Sequence, residues 1–199
     1  MKVADLWARV RGEWIRHSWY LRSFGRVCIG PGLRAYGPLQ VIGQGRVCIG
    51  RDVTIGRDPF GSRTVSLQTQ GSREAAIEVG DRVTLLGTHI SCGRHVSIGR
   101  GSWIEDARIM DSDFHRTEPG AERHKLSVDS AAEVSLGERV CVAGRAMILK
   151  GVKIGAGACV RPGAVLLREV PAGSLVSGFP ARAERAAAPC AEVAQKPSS

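Results

Sequence analysis

The chain has 199 residues, which suits one domain with small appendages. Its 28 Lys and Arg outnumber 19 Asp and Glu, and the resulting formal charge of +9 favours an anionic partner. No nucleic-acid reading module or cluster of stacking aromatics is recognisable, so we predict no nucleic-acid partner. No apolar stretch approaches the roughly 20 residues that cross a membrane, and the cysteines, without a signal peptide, predict a cytoplasmic protein rather than a disulfide framework.

Residues 1–24 precede any repeat and predict an amphipathic helix. Apolar residues and one His recur at intervals of three and four, while arginines take other positions. The recurring residues are Trp7, Val10, Trp14, His17 and Leu21. We expect this helix to cover an open end of the domain that follows, or to pack on a neighbouring subunit. The alternative is a basic, Trp-containing helix that holds the protein at a membrane surface.

Through much of residues 25–183, a hydrophobic residue returns at every sixth position. The clearest row is Leu136, Val142, Ile148, Ile154, Val160 and Leu166. A second apolar row stands two places earlier, as at Val140 and Val152. Two inward residues separated by an outward one make a short strand, and the Gly-rich pieces between strands predict turns. Strands and turns that repeat at a fixed period predict a parallel β-helix, an all-β solenoid.

Two stretches interrupt the repeat. Residues 57–76 keep its length but lose its regular pattern of Gly and β-branched residues, which predicts an irregular coil or an excursion. From Met110 to Leu136 the chain advances 26 residues, two more than four repeats. Residues 116–132 of this stretch are polar and turn-rich, and they predict a loop that projects from the solenoid. Residues 184–199 follow the repeat and predict a loose tail.

Two segments of the repeat resemble the hexapeptide-repeat acyltransferases. They are residues 49–56 (Ile-Gly-Arg-Asp-Val-Thr-Ile-Gly) and 152–160 (Val-Lys-Ile-Gly-Ala-Gly-Ala-Cys-Val). In that family three hexapeptides, about 18 residues, form one triangular coil. The left-handed winding comes from the resemblance alone, because connections between parallel strands are normally right-handed. The resemblance also implies a homotrimer with active sites between subunits and acetyl-coenzyme A as the co-substrate.

Residues 110–115 (Met-Asp-Ser-Asp-Phe-His) resemble the Asp-x-Asp-aromatic-His segment of the sugar and polysaccharide O-acetyltransferases. The resemblance implies that His115 is the catalytic base, and a neutral imidazole can accept the proton of an attacking hydroxyl. If a coil contains about 18 residues, Asp113 lies one strand above His95, and we predict an acid–His pair beside His115 in which Asp113 supports the base. Alternatively, Asp111 or Asp113 binds the acceptor hydroxyls, with His95 at the same site.

Residues 140–144 (Val-Cys-Val-Ala-Gly) resemble the segment whose main chain binds the pantetheine arm of coenzyme A. The resemblance implies backbone contacts at Ala143 and Gly144, although Cys141 replaces an aromatic residue that is common there. Arginine engages phosphate oxygens through a forked pair of hydrogen bonds that lysine cannot reproduce. The arginines that match basic positions near the coenzyme A phosphates are Arg168, Arg182 and Arg185.

Four histidines raise the question of a metal, because some left-handed β-helices are zinc-dependent carbonic anhydrases. They are His89, His95, His115 and His124. Their successive spacings are 6, 20 and 9 residues, and a step of six carries His89 and His95 to different sides of one coil. We therefore predict no metal.

The sequence thus predicts a left-handed parallel β-helix with an N-terminal helix and a projecting loop. We expect a trimeric, cytoplasmic enzyme that transfers acetyl from acetyl-coenzyme A to a hydroxyl of a sugar or polysaccharide precursor, with peripheral membrane contact through residues 1–24 as an open question. Two other functions stay open: acetylation of a xenobiotic hydroxyl, as in drug inactivation, and a noncatalytic β-helical protein that serves in binding or assembly.

Overall fold

The computed structural model describes residues 3–57, 64–71, 73–115, 126–127 and 131–184. Within these residues the chain forms one helix and a solenoid of short strands, which pair in parallel from coil to coil. Successive strands of a coil belong to three different sheets, which we name faces A, B and C in the order in which the chain visits them. In the described residues, no helix combines the length and the apolarity that crossing a membrane requires.

The helix and the first four coils follow one another without a topological break. Helix α1 spans Val3–Ser23. Coil 1 contains β1 (Val27–Ile29), β2 (Arg34–Ala35) and β3 (Leu39–Ile42). Coil 2 contains β4 (Arg46–Ile49), β5 (Thr54–Gly56) and β6 (Val65–Thr69). Coil 3 contains β7 (Ala76–Val79), β8 (Thr84–Leu86) and β9 (His89–Cys92), and coil 4 contains β10 (His95–Ile98), β11 (Trp103–Glu105) and β12 (Arg108–Met110).

After coil 4 the chain leaves the solenoid and then resumes it. The excursion contains β13 (Phe114–His115) and β14 (Leu126–Ser127), which pair antiparallel. Coil 5 contains β15 (Val134–Leu136), β16 (Cys141–Val142) and β17 (Met147–Ile148). Coil 6 contains β18 (Lys153–Ile154), β19 (Cys159–Val160) and β20 (Val165–Leu166). The last coil adds β21 (Leu175–Ser177), and β22 (Arg182–Glu184) turns back antiparallel to it.

The row of six-residue steps forms the core of the solenoid. Its six clearest members, from Leu136 to Leu166, are each at most 3% exposed. They point inward from faces A, B and C in turn, because alternate side chains of a strand face opposite ways and each corner redirects the chain. The predicted parallel β-helix is confirmed.

The coils are less regular than the predicted three hexapeptides. The residues aligned along face A are Val27, Val47, Ile77, Val96 and Val134. Their numbers show that successive coils differ in length and that the step from Val96 to Val134, which includes the excursion, is the longest. The predicted spacing of three hexapeptides holds between coils 5 and 6, where Cys141 pairs with Cys159. The earlier coils exceed it because the corners and excursions take extra residues while the strands stay in register.

Helix α1 covers the open end of coil 1 with a stripe of small and apolar residues. Ala8 and Ile15 are buried on this side of the helix. Gly12 lies so close to coil 1 that a Cβ atom there would stand 1.8 Å from the Leu33 carbonyl oxygen. Any side chain at this position would therefore push the helix away from the solenoid, and glycine allows the close approach.

The stripe that the sequence pattern emphasised faces away from the solenoid. Trp7, Trp14 and Leu21 are 68%, 67% and 75% exposed. The helix thus carries two apolar stripes, and its smaller side chains pack on the coil because they permit a dense contact with its backbone. The helix covers the solenoid end as predicted, but the Trp-containing stripe is not the covering surface.

Candidate active site

The excursion begins at the corner between faces C and A, which we name the C–A corner. Asp111 follows β12 at this corner, and its carbonyl accepts a hydrogen bond from the Ala132 N–H (2.8 Å) where the chain returns. Between these two points His115 pairs antiparallel with Leu126, so the excursion starts as a hairpin. The side chain of His115 and most of the predicted loop lie outside the described residues.

Asp111 is fully buried, and its carboxylate is occupied by backbone groups at the preceding passage of the C–A corner. Oδ1 accepts a hydrogen bond from the Gly93 N–H (2.7 Å), and Oδ2 accepts from the N–H groups of Arg94 (2.7 Å) and His95 (2.9 Å). Such charge-assisted hydrogen bonds are the strong ones in proteins. The acceptor-binding role predicted for Asp111 is corrected: a carboxylate enclosed in this way stabilises the corner and does not face a substrate.

The same carboxylate affects the neighbouring Cys92. The Cys92 thiol donates to Asp111 Oδ2 at 3.4 Å and is itself buried. Burial raises the pKa of this thiol, and the negative charge of Asp111 raises it further. Cys92 is therefore held as a thiol at neutral pH and acts as a core residue rather than a nucleophile.

His95 begins β10 at the C–A corner and lies between two carboxylates. Its Nδ1 is 2.7 Å from Glu133 Oε1, and its Nε2 is 3.6 Å from Glu78 Oε2. The predicted pair of Asp113 with His95 is wrong, because Val96 aligns with Val134 and places Glu133 beside His95. Counting three hexapeptides onward from His95 leads to Asp113, which lies in the excursion and not on face A. Counting along the second apolar row, from Val96 to Val134, would have found Glu133.

Asp113 instead contacts a basic residue on the next coil. Its side chain is 57% exposed and forms an ion pair with Lys150, which follows β17 at the C–A corner. Asp111 and Asp113 are only two residues apart, yet one points into the protein and the other into solvent. Asp113 therefore keeps the access to ligands that Asp111 lacks.

Ala143 and Gly144 lie at the corner between faces B and C, which we name the B–C corner. The Ala143 N–H donates to the Val160 carbonyl (2.9 Å), and the Gly144 carbonyl accepts from the Gly163 N–H (3.0 Å). Both residues are partly exposed. A ligand along this corner would meet a smooth backbone surface whose groups already join two coils.

The predicted phosphate contacts are divided between the two corners. Arg168 is exposed at the C–A corner after β20. Arg182 is exposed at the start of β22, opposite Ser177, which ends β21 at the B–C corner. Arg185 lies outside the described residues. One chain therefore places Arg168 near the excursion and Arg182 near Ala143 and Gly144.

The two corners lie at opposite edges of face C, and His89 lies on the face between them. The His89 Nε2 is 3.0 Å from the Ser91 hydroxyl. Burial lowers the pKa of His89, and the positive charge of Arg108 lowers it further. Within the described residues, no group of three His, Cys, Asp or Glu side chains could hold a metal ion; His124 lies outside them.

Two cavities lie away from the predicted site residues. One of about 590 Å³ borders the end of α1, beside Phe24 and Arg26. Another of about 610 Å³ lies at the corner between faces A and B, beside Arg82 and Arg139. Neither is lined by a residue predicted to bind donor or acceptor.

The solenoid is similar to solved acyltransferases. It matches AntD, an N-acyltransferase from Bacillus cereus solved in complex with dTDP and 3-hydroxybutyryl-CoA, at 15% identity and a TM-score of 0.63, over 85% of this chain and 87% of that chain. It also matches the polysialic acid O-acetyltransferase OatWY at 16% identity and a TM-score of 0.53, over 79% and 87% of the two chains. These likenesses confirm the left-handed β-helix of the hexapeptide-repeat acyltransferases.

A shorter stretch resembles a curated enzyme in sequence. Over 53 residues the chain is 43% identical to the 2,3,4,5-tetrahydropyridine-2,6-dicarboxylate N-acetyltransferase of Staphylococcus aureus (strain JH9). The match covers 27% of this chain and 22% of that relative, so the chain spans about a fifth of the relative's length. No family model matches the chain. The protein is thus a left-handed β-helix protein whose structural and sequence neighbours are acyltransferases.

Proposed function

We propose that the protein is a trimeric, cytoplasmic O-acetyltransferase that moves acetyl from acetyl-coenzyme A to a hydroxyl of a sugar or polysaccharide precursor. The observation that carries the proposal is the hairpin at the C–A corner, where Asp113 and His115 leave a fold shared with acyltransferases. Lys150 and Arg168 follow at the same corner, so an anionic ligand meets positive charge there. AntD, whose fold the chain shares, was solved with an acyl-coenzyme A and with a dTDP-sugar.

In the proposed reaction, the neutral imidazole of His115 accepts the hydroxyl proton while the hydroxyl oxygen attacks the thioester carbonyl carbon. The tetrahedral intermediate then expels the coenzyme A thiolate, which takes the proton from the imidazolium. The products are an acetyl ester and coenzyme A. The Asp113 carboxylate, two residues before His115, stabilises the imidazolium as it forms. His95, partly exposed at the same corner and oriented by Glu133, contacts the acceptor.

The division of the site between two corners supports a shared active site. We propose that His115 of one subunit faces Ala143 and Gly144 of the next, with Arg168, Arg182 and Arg185 near the donor phosphates. A cyclic trimer would then hold three equivalent sites. Sedimentation equilibrium of the purified protein tests the oligomeric state, and a monomer at assay concentration would contradict this part of the proposal.

Mixing two inactive variants tests whether the site is shared. His115→Ala removes the base, and Gly144→Trp obstructs the donor groove; the nearest atom to a Cβ at Gly144 is 3.9 Å away, so a Cβ atom there meets no close contact. If each site combines His115 of one subunit with Gly144 of its neighbour, a refolded equal mixture should recover about a quarter of the wild-type activity. Recovery would be absent if both residues act within one subunit.

The reaction itself is tested with labelled acetyl-coenzyme A and a panel of glycans and sugar nucleotides. We expect label in the carbohydrate, and mass spectrometry of the product locates the new ester. The noncatalytic alternative predicts neither donor binding nor transfer at millimolar acetyl-coenzyme A. A drug panel assayed in parallel addresses the xenobiotic alternative.

A second acceptor chemistry is favoured by the comparisons. AntD and the Staphylococcus aureus relative are both N-acyltransferases, so an amino sugar is also a candidate acceptor. Alkaline hydroxylamine distinguishes the products, because it cleaves an O-acetyl ester and leaves an N-acetyl amide intact. Label that resists hydroxylamine would replace the hydroxyl acceptor of our proposal with an amine.

A further inference from the structure

Exposed apolar side chains are concentrated on helix α1 and are few on the solenoid. Of the eleven exposed large hydrophobic residues in the described chain, seven belong to α1 or to the residue that follows it. They are Val3, Leu6, Trp7, Val10, Trp14, Leu21 and Phe24. Scattered apolar residues are normal on a protein surface, but a contiguous patch marks an interaction site. We call the six members within the helix the outer stripe.

The outer stripe lies opposite the side of α1 that packs on the solenoid. A helix advances 100° per residue, about 3.6 residues per turn, so Trp7, Val10 and Trp14 share one face while Ala8 and Ile15 point the other way. The buried side of the helix is satisfied by coil 1, as described above. The solenoid of the same chain therefore cannot cover the outer stripe.

Arginines border the outer stripe on one side. By helical geometry Arg11 and Arg22 lie along this border. Glu13 follows the opposite edge, and Arg9 and Arg16 lie beyond it, toward the side that packs on the solenoid. Long basic side chains in these positions can lay their methylene groups beside an apolar surface and extend their charge into a polar layer. An amphipathic helix with Trp and Leu on one face and arginines beside it is typical of proteins that lie in a membrane interface.

The acidic residues of α1 make contacts elsewhere. Asp5 accepts a hydrogen bond from the Tyr36 hydroxyl (2.6 Å). Glu13 pairs with Arg16 (2.7 Å) and accepts from the Gly32 N–H (3.4 Å). Both carboxylates are thus held by internal contacts, with Glu13 offsetting Arg16, and Arg11 and Arg22 complement an anionic surface.

Positive charge continues past the end of the helix. Phe24 is 95% exposed and lines the cavity of about 590 Å³ together with Arg26, Arg46 and Arg73. The Arg26 guanidinium donates to the Gly43 carbonyl (3.1 Å), and Arg46 also pairs with Glu78 (3.5 Å). These contacts hold the guanidinium groups beside an aromatic ring that nothing in the described chain covers.

We propose that the outer stripe of α1 lies in the headgroup layer of an anionic membrane, with the cavity beside Phe24 facing lipid phosphates. A second copy of the chain is the competing occupant. Pairing two outer stripes antiparallel across a twofold axis would bring the Arg11 and Arg22 borders of the two copies together, and the resulting repulsion disfavours that occupant. An anionic bilayer instead offers apolar depth to the tryptophans and negative charge to the arginines.

The test uses the full-length protein and sedimenting vesicles of phosphatidylcholine with and without phosphatidylglycerol. We expect binding to the anionic vesicles, with a blue shift of tryptophan emission. The double variant Trp7→Ser/Trp14→Ser should reduce the partition coefficient by about 10-fold or more. Arg11→Gln/Arg22→Gln should lower binding to anionic vesicles most at low salt. Phe179→Ser, an exposed aromatic substitution near the opposite end of the solenoid, serves as the matched control and should bind like wild type.

Three results would overturn the inference. They are absence of wild-type binding to anionic vesicles, unchanged binding by the double Trp variant, and conversion of that variant to a smaller oligomer, which would assign the outer stripe to a subunit interface. The inference stands apart from acyl transfer: the double Trp variant should lose vesicle binding and keep wild-type turnover of a soluble acceptor, whereas His115→Ala should do the reverse.

Discussion

The two edges of face C offer different groups to a ligand. At the B–C corner the late coils keep an even spacing, and Ala143 and Gly144 present backbone that is hydrogen-bonded to the next coil. At the C–A corner the excursion breaks the spacing and polar side chains collect, with Asp111 turned inward and Asp113 outward. A regular corner thus presents backbone, and an interrupted corner presents side chains. In the mechanism that we propose, the B–C corner binds the donor and the C–A corner carries the proton transfer.

The largest effect is expected at the interrupted corner. His115→Ala should lower turnover by roughly 10²- to 10⁴-fold, because it removes the group proposed to accept the hydroxyl proton. Circular dichroism should show an unchanged fold. Gly144→Trp, at the regular corner, should instead abolish the binding of acetyl-coenzyme A. Near-normal turnover of His115→Ala would show that the interrupted corner does not supply the catalytic base.

Asp111→Ala should affect stability rather than substrate binding. The change leaves one buried and two partly buried backbone N–H groups without their acceptor, so the free energy of unfolding should fall by about 3–5 kcal/mol. Urea denaturation followed by circular dichroism measures the loss. Asp113→Ala is the matched control and should cost less than about 1 kcal/mol, since its ion pair is exposed. Equal losses would show that the two aspartates do not differ as the structure indicates.

Asp113→Asn should lower kcat by about 10-fold with little change in the acceptor KM, because the neutral amide stabilises an imidazolium less well. Lys150→Met breaks the same ion pair but keeps the Asp113 carboxylate, so it should retain turnover. Steady-state kinetics of both variants separate the two roles. If both lose the same activity, the ion pair matters for positioning and Asp113 does not support His115 directly.

The smallest effect concerns His89, on the face between the corners. Its pKa is lowered in the folded protein, so below the ordinary histidine value of about 6.5 the unfolded chain binds more protons than the folded one. The free energy of unfolding should therefore fall as pH decreases through that value. In His89→Gln this contribution should disappear. Denaturation curves at pH 7.5 and 5.5 for both proteins check it, and identical pH dependence would contradict the assignment.

Much of the solenoid could be predicted because its signal is local. Each strand repeats the same alternation, so the rows through Leu136 and Val140 identify inward positions without any knowledge of distant residues. The excursion after Met110 was predicted for the same reason, since the period breaks there. The resemblance of residues 110–115 also located the candidate base, and its role stays a prediction.

The predictions that failed concern residues that meet across neighbouring coils. Glu133, not Asp113, lies beside His95, because the excursion lengthens that coil while face A keeps its register. The acceptor-binding role predicted for Asp111 failed because three backbone N–H groups occupy its carboxylate. Such pairings depend on the path of an excursion whose residues follow no period.

By itself the sequence determined the repeat, the inward rows and the point where the chain leaves the solenoid, because each follows from side-chain alternation along a few neighbouring residues. The tertiary structure alone decided which residues meet across coils and which stripe of α1 packs inward. Those outcomes depend on strand register and on the close approach at Gly12, and both arise when segments distant in sequence share one core.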